Sequence, residues 1–187
     1  MLLDDIDKQI LNILYDNGRE SLTTMGDKVQ KFDLESMSHT GISKRISKLE
    51  NSEILKVQGN INIKALNYKA CFILLEMKNY EEVKNIIKAY SECPRVFLIS
   101  QVSGQFNLIM GIIGQSTDVL HRYINYCGPT NKEGILHSQI LFASSFEVPK
   151  YIPLNLFSKT SQESKCGNIC KDCEAFLDGL CDGCGTF

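Results

Sequence analysis

Between Tyr68 and Phe146 the hydrophobic pattern switches repeatedly between period two and period 3.6, and the order of those switches leaves few folds open. Cys71 to Met77 reads as a buried strand. Tyr80 to Ser91 reads as a helix with Val83, Ile86, Ile87 and Tyr90 turned inward, and Pro94 breaks it. Val96 to Val102 and Phe106 to Ile113 are strands flanking Ser103-Gly104-Gln105, a tight hairpin. Thr117 to Tyr126 is a second helix with Val119, Leu120, Tyr123 and Ile124 inward, closed by Cys127-Gly128-Pro129, and Ile135 to Phe146 is a last strand. Strand, helix, strand, strand, helix, strand is the split βαβ, ferredoxin-like order, with two helices on one face of the sheet and the other face free. An uncovered apolar face needs a partner, and the simplest one is a second copy of the chain.

The residues before this block form a second pattern. Asp4 can cap a helix whose apolar positions Ile6, Ile10, Ile13 and Leu14 follow the helical period, with Gly18 as a left-handed stop. A second helix starts at Ser21, buries Leu22, Met25 and Val29, and runs out near Gln30. A third follows a polar stretch from Lys31 to Met37. Ser38 is its N-cap, and Ile42, Ile46 and Leu49 form its apolar stripe. Between Ser38 and Leu49 there are three positive charges, Lys44, Arg45 and Lys48, and no acid. That face suits a phosphate backbone, and Thr40, Ser43 and Ser47 are small enough to approach base edges. Three short helices of this kind make a helix-turn-helix unit whose third helix enters the major groove. We assign Ser38, His39, Thr40, Ser43, Lys44, Arg45 and Lys48 to double-stranded DNA. Lys44 and Lys48 serve as phosphate contacts, and Arg45 serves either at base edges or as an internal brace.

Ile54-Leu55-Lys56-Val57 and Asn60-Ile61-Asn62-Ile63 alternate around Gly59 and read as a connector strand between the domains. The expected division is a helix-turn-helix domain over 1–58, a connector strand over 59–67, a βαββαβ domain over 68–157, and a linker with a cysteine-rich tail over 158–187. The fold class is α+β, an N-terminal helix-turn-helix (winged-helix-like) domain followed by a ferredoxin-like βαββαβ domain.

Net charge is -2, so affinity for nucleic acid must come from a local patch and not from the overall field. The start of the chain is acidic where a signal peptide would be basic, and no apolar run approaches the roughly 18 residues of a membrane span. A cytoplasmic setting is expected. Of eight cysteines, Cys166, Cys170, Cys173, Cys181 and Cys184 crowd the last 22 residues. In a reducing compartment that crowding argues for metal or redox chemistry over a disulfide framework. Two C-x-x-C knuckles can each give two thiolates to one ion. Zinc through Cys170, Cys173, Cys181 and Cys184 is the first expectation, with Cys166 in excess; an iron–sulfur cluster is the second and thiol redox sensing the third. His121 and His137 have no carboxylate or nucleophile beside them in sequence, and no catalysis is assigned to either.

From Leu3 to about Phe157 the chain resembles the Lrp/AsnC ("feast/famine") transcription regulators. The likeness rests on Leu3-Asp4-Asp5-Ile6-Asp7, Asp16-Asn17-Gly18-Arg19, Met37-Ser38 with Ile42, Arg45-Ile46 and Lys48-Leu49-Glu50, Leu66-Asn67-Tyr68, and Gly104-Gln105-Phe106-Asn107-Leu108. The resemblance implies a DNA-binding domain and a ligand-responsive domain that makes dimers and often octamers. It also implies an effector, an amino acid, near Gly104, Gln105, Phe106 and Asn107. Three departures stand out. The stretch joining the second and third helices is longer than the family's. Glu53 occupies the place of the glycine that ends the recognition helix, so the left-handed cap is expected to move to Asn51. Asn107 replaces the hairpin's usual aspartate. Some two-domain proteins resembling the family are haem-pathway decarboxylases, with a His-Asn-Tyr-x-Arg stretch before the hairpin. Here that region reads Leu98-Ile99-Ser100-Gln101-Val102-Ser103, which argues against an enzyme. A metal or redox sensor with no DNA target is a further alternative.

Overall fold

The computed structural model describes residues 2–29, 36–154, 169–172 and 174–178. The chain divides into two compact units between Gly59 and Asn60.

The first unit holds three helices, α1 (Asp5–Asp16), α2 (Leu22–Lys28) and α3 (His39–Asn51). Each is opened by a short polar side chain that accepts a free backbone N–H of the first turn: Asp4 from Asp7, Ser21 from Thr24, Ser38 from Gly41. Ile10, Met25, Val29 and Ile42 meet in one fully buried cluster, with Ile6, Ile13, Leu14, Leu22, Met37 and Ile46 around it. The expected left-handed stop at Gly18 is not used. Asn17 leaves α1 in an extended conformation, and its Oδ1 accepts the Arg19 N–H at 3.1 Å, so the chain turns without a positive φ.

The second unit contains β1 (Lys69–Met77), α4 (Tyr80–Tyr90), β2 (Val96–Gln101), β3 (Leu108–Gly114), α5 (Thr117–Arg122) and β4 (Ile135–Phe142). The sheet is antiparallel in the order β2-β3-β1-β4, as the pattern required. Cys71, Ile73, Leu75 and Met77 alternate onto the face that α4 covers with Val83, Ile86 and Tyr90 and that α5 and its extension cover with Leu120, Tyr123 and Ile124. Beyond Arg122 the helix widens into a π turn over Tyr123–Cys127. The carbonyls it releases are taken up by side chains: Cys127 O by Tyr90 Oη at 2.7 Å, Ile124 O by Thr130 Oγ1 at 3.0 Å, Asn125 O by Asn131 Nδ2 at 2.6 Å.

Two expectations change here. The connector strand is reduced to a single bridge between Ile61 and Ile152. Asn62 ends any pairing because its Oδ1 accepts the N–H groups of Lys64 and Ala65, which turns the chain over Ile63–Asn67. The second face of the sheet is only half free. Ile63 and Ile152 lie on Ala70 and Ile113 at one end, and Phe97 stands edge-on between Phe72 and Phe146. Gly111 makes that possible, since a Cβ there would run into the Phe97 ring. Toward the other end Leu74 and Ile109 are half-buried, and Leu98 and Leu141 are 39% and 46% exposed.

Candidate functional site

The third helix carries most of the expected DNA contacts, and α2 sets where it starts. After the long stretch that follows Val29, Met37 returns to α2, its N–H donating to Gly26 O at 3.0 Å. A Cβ on Gly26 would collide with the Met37 carbonyl oxygen, so only glycine allows this approach. Ile42, one turn later, is fully buried against Ile10, Met25 and Val29.

This anchoring fixes which side of α3 faces outward. Thr40, Lys44, Ser47 and Asn51 recur at four, three and four residues and are all exposed, with exposed Lys48 beside them and half-buried Ser43 and exposed His39 on the other flank. Ser38 is spent on its cap, with Oγ 3.2 Å from Gly41 N. His39 Nε2 lies 3.4 Å from Thr40 Oγ1. Asn51 is not among the expected contacts, yet the period that selects Thr40, Lys44 and Ser47 reaches it.

Arg45 points the other way. Its Nη1 donates to Asp4 Oδ2 at 2.6 Å and Asp7 Oδ1 at 2.7 Å, so of the two roles the sequence left open this geometry is that of the brace. Asp4 and Asp7 also form a capping box, Asp4 accepting from Asp7 N at 2.8 Å and Asp7 from Asp4 N at 3.3 Å. The Asp7 N–H, and after it Arg45, hold the Asp4 carboxyl below its usual 3.8. Asp7 is buried, at 3% exposure.

The left-handed turn that follows α3 is at Glu53, not Asn51. Glu53 takes φ 56°, with its N–H on Glu50 O at 2.9 Å and the Ile54 N–H on Leu49 O at 3.0 Å. The left-handed cap therefore stays where a glycine would serve best, because the bond from Ile54 back to Leu49 needs that backbone turn.

The hairpin expected to hold an effector is the six-residue loop 102–107. Gly104 (φ 151°) and Gln105 are exposed and Phe106 is half-buried. Asn107 is occupied at both ends of its amide: Oδ1 accepts from Met77 N at 2.9 Å and Nδ2 donates to Met77 O at 3.0 Å. The side chain thus continues the β1 ladder like a strand neighbour. His137, with no carboxylate beside it in sequence, has one across the ladder, with Nδ1 2.9 Å from Glu76 Oε2 on the half-free face. His121 rests on the Phe142 ring, with ring centroids 4.5 Å apart.

The side chains of Cys166, Cys170, Cys173, Cys181 and Cys184 lie outside the described residues. The described backbone there is a 3₁₀ turn over Cys170–Asp172 and a helical turn over Glu174–Leu177. Among the described residues no group of three or more histidine, cysteine or acidic side chains is placed to hold a metal ion. Cys71 is buried on β1, and burial pushes its thiol up to about 12. None of the described helices is long and apolar enough to cross a membrane.

No family model matches the chain. It is 26% identical over 144 residues to the HTH-type transcriptional regulator FL11 of Pyrococcus furiosus, which spans 75% of this chain and 89% of that protein. The structure of E. coli AsnC superposes with a TM-score of 0.66 at 19% identity, covering 79% of this chain and 96% of that one. The Neisseria meningitidis transcriptional regulator NMB0573, solved as its L-Met complex, gives a TM-score of 0.63 at 16% identity over 77% of this chain and 91% of that one. Both FL11 and NMB0573 are transcriptional regulators, which favours the regulator reading over the decarboxylase alternative. With its helical first unit and its β2-β3-β1-β4 sheet domain, the chain has the fold of AsnC and is similar to the transcriptional regulator FL11 along nine-tenths of FL11's length.

Proposed function

We propose that this regulator binds double-stranded DNA sequence-specifically, in the cytoplasm, as a symmetric dimer whose two α3 helices enter successive major grooves about 34 Å apart. One observation carries the reading: the outward stripe Thr40, Lys44, Ser47 and Asn51, flanked by Lys48, on a helix with no acid between His39 and Leu49. Lysines at this spacing reach phosphates, and a hydroxyl or an asparagine amide reaches base edges, asparagine pairing with adenine in particular. Selection of binding sites from genomic fragments, followed by mobility shifts, tests it. Lys44→Ala and Lys48→Ala should each weaken binding about equally on all sites and lower the salt slope by about one. Asn51→Ala should change sequence preference at one position. Unchanged affinity in both lysine variants overturns the reading.

The dimer rests on the half-free sheet face, where Leu74, Ile109, Leu98 and Leu141 would meet their copies. Sedimentation of the full chain decides between dimer, octamer and monomer. An amino-acid effector at Gly104, Gln105 and Phe106 is the family-based part of the proposal, supported by the regulator solved with L-Met. Asn107 bonds Met77 through both ends of its amide, which leaves it one N–H and one lone pair to offer an effector. Calorimetry against the amino acids tests it, and no heat with any of them leaves the loop structural.

A metal ion on the tail is a separate proposal. Its support is the spacing of Cys170, Cys173, Cys181 and Cys184 together with the 3₁₀ turn that opens at Cys170. Metal analysis of protein purified without oxygen should find one zinc per chain, or iron with acid-labile sulfide. Absence of both ends the metal reading.

A further inference from the structure

The second unit contains a pocket of about 240 Å³ at the end of the sheet opposite the hairpin, where β1 begins and β4 has ended. Lys69, at its rim, pairs in register with Gly114, whereas the hairpin's Asn107 N–H bonds to Leu75 O, six residues further along β1 and roughly 20 Å away. The two places cannot share a ligand.

The floor is apolar and buried. Ile63 and Ala70 are buried there at 2% and 4%, and half-buried Tyr68 and Phe146 stand as walls that belong to the cluster sealing this end of the sheet. One side is the turn Ile63–Asn67, closed by Tyr68 N to Ile63 O at 2.9 Å and Asn67 N to Lys64 O at 3.0 Å, with Asn67 in the left-handed conformation that asparagine tolerates. That turn also steers a cation: Lys69 Nζ donates to Asn67 Oδ1 at 3.1 Å.

The rim is different in kind. Its exposed polar groups are Lys64, Lys69, Asn67, Ser144 and Ser145, two ammonium groups, one amide and two hydroxyls, and no acid is part of the lining. Lys64 pairs loosely with Glu147, which is outside the lining, at 3.8 Å and with both side chains about 70% exposed. A concave site with an apolar floor and a few convergent donors takes a ligand with an apolar body and a polar head. Here the head must be anionic, since two lysines attract a carboxylate and repel an ammonium.

We infer that this pocket binds a small apolar monocarboxylate without an ammonium group, a 2-oxo or simple carboxylic acid in place of an amino acid. At about 30 Å³ per water the volume equals roughly eight waters, enough for a body of four to six carbons with its carboxylate. The lysines hold the head, and Tyr68 and Phe146 enclose the body. The site does not depend on DNA binding or on the hairpin effector.

The test compares two molecules of one shape. 4-Methyl-2-oxopentanoate and L-leucine share a side chain and a carboxylate and differ at the 2-position, and acetate supplies the head without the body. Calorimetry of the full chain, without DNA, should show saturable binding of the oxo acid, with leucine and acetate each at least tenfold weaker. Lys69→Met should weaken the oxo acid at least tenfold and Lys64→Met severalfold. Both lysines are exposed, so thermal unfolding of these variants should match the parent and separate lost binding from lost folding. Glu147→Gln should leave oxo-acid affinity unchanged or raise it. Loss of DNA binding in the parent chain would strike the DNA reading and leave this one standing. No heat with the oxo acid, equal affinity for leucine, equal affinity for acetate, or unchanged affinity in Lys69→Met overturns the assignment.

Discussion

Arg45 on α3 and Asp7 on α1 form a 2.7 Å ion pair that joins the reader helix to the first turn of the chain, 38 residues earlier. Asp7 is buried and Arg45 is 27% exposed, so the pair is partly shielded, and Asp4 adds a second, more exposed arm at 2.6 Å. Removing the arginine leaves a buried carboxylate that, among the described residues, keeps the Asp4 N–H. We expect Arg45→Met to destabilise the first unit by about 2 kcal/mol, the range for hydrogen bonds to charged groups. Its effect on DNA should follow from partial unfolding and should vanish at low temperature, where binding by the folded fraction returns. Denaturant titration alongside mobility shifts at two temperatures checks this.

The same network sets an acid limit. The Asp4 carboxyl is held below its ordinary 3.8, first by the Asp7 N–H and then by Arg45. A depressed folded value stabilises the fold fully above 3.8, and the contribution disappears as pH falls through the lower, folded value. The first unit should therefore lose stability below about pH 4 more steeply in the parent than in Asp4→Asn, which keeps a capping side chain but has nothing to titrate. Midpoints of thermal unfolding between pH 2.5 and 6 measure the difference; Asp4 is half exposed, so solvent screening keeps it small.

Gly26 shows where backbone proximity outweighs helix propensity. In an exposed mid-helix position, glycine to alanine stabilises by about 1 kcal/mol. Here the added methyl meets the Met37 carbonyl, backbone that cannot swing aside as a side chain could, and the Met37 N–H to Gly26 O bond would be lost as the segments part. Gly26→Ala should be net destabilising by about 2 kcal/mol. It should also weaken DNA binding beyond what stability predicts, since α3 starts from that contact. An alanine variant as stable as the parent would show that the return of Met37 is adjustable.

These positions show what a sequence conceals. The order of strands and helices was legible because each apolar face repeats with its own period: Cys71, Ile73, Leu75 and Met77 at two, Val83, Ile86 and Tyr90 at three and four. The outward face of α3 was legible for the same reason. Arg45 was not, because its role depends on acids 38 and 41 residues away, and no local pattern distinguishes an arginine aimed at a phosphate from one aimed at an aspartate. The pocket by Lys64 and Lys69 was hidden likewise. Its walls come from residues 63–70 and 143–146, which approach only once β1 and β4 pair.

Glu53 bears a conformational cost that one substitution should relieve. At φ 56° its Cβ crowds the following carbonyl, a penalty of roughly 1–2 kcal/mol that glycine does not incur. Glycine loses more chain entropy on folding, so the net gain should be about 0.5–1 kcal/mol. Glu53→Gly should raise the melting temperature of the first unit and leave DNA specificity unchanged, because Glu53 is past the end of α3. Glu53→Ala, which keeps a Cβ at the same φ, should gain nothing, and that pair of melts separates backbone strain from loss of the charge.

Asn107 and Met77 give the last test, and it bears on why this chain departs from the family at that position. The amide answers both polar groups of one residue, accepting from Met77 N and donating to Met77 O. Aspartate keeps the acceptor and loses the donor, and it places a negative charge within hydrogen-bond distance of a carbonyl oxygen. We expect Asn107→Asp to cost about 1–3 kcal/mol, the penalty of leaving a half-buried carbonyl unanswered. Asn107→Ala loses both bonds without the repulsion, so it should cost less than aspartate if the charge dominates and more if the Met77 N–H does. Thermal melts of the three proteins at neutral pH rank them. Repeating the melts near pH 3 should bring the Asn107→Asp variant back toward the parent, as the introduced carboxyl takes up a proton and regains a donor. An aspartate variant as stable as the parent at neutral pH would mean that the loop re-forms around Met77, and that Asn107 is interchangeable with the acid the family uses.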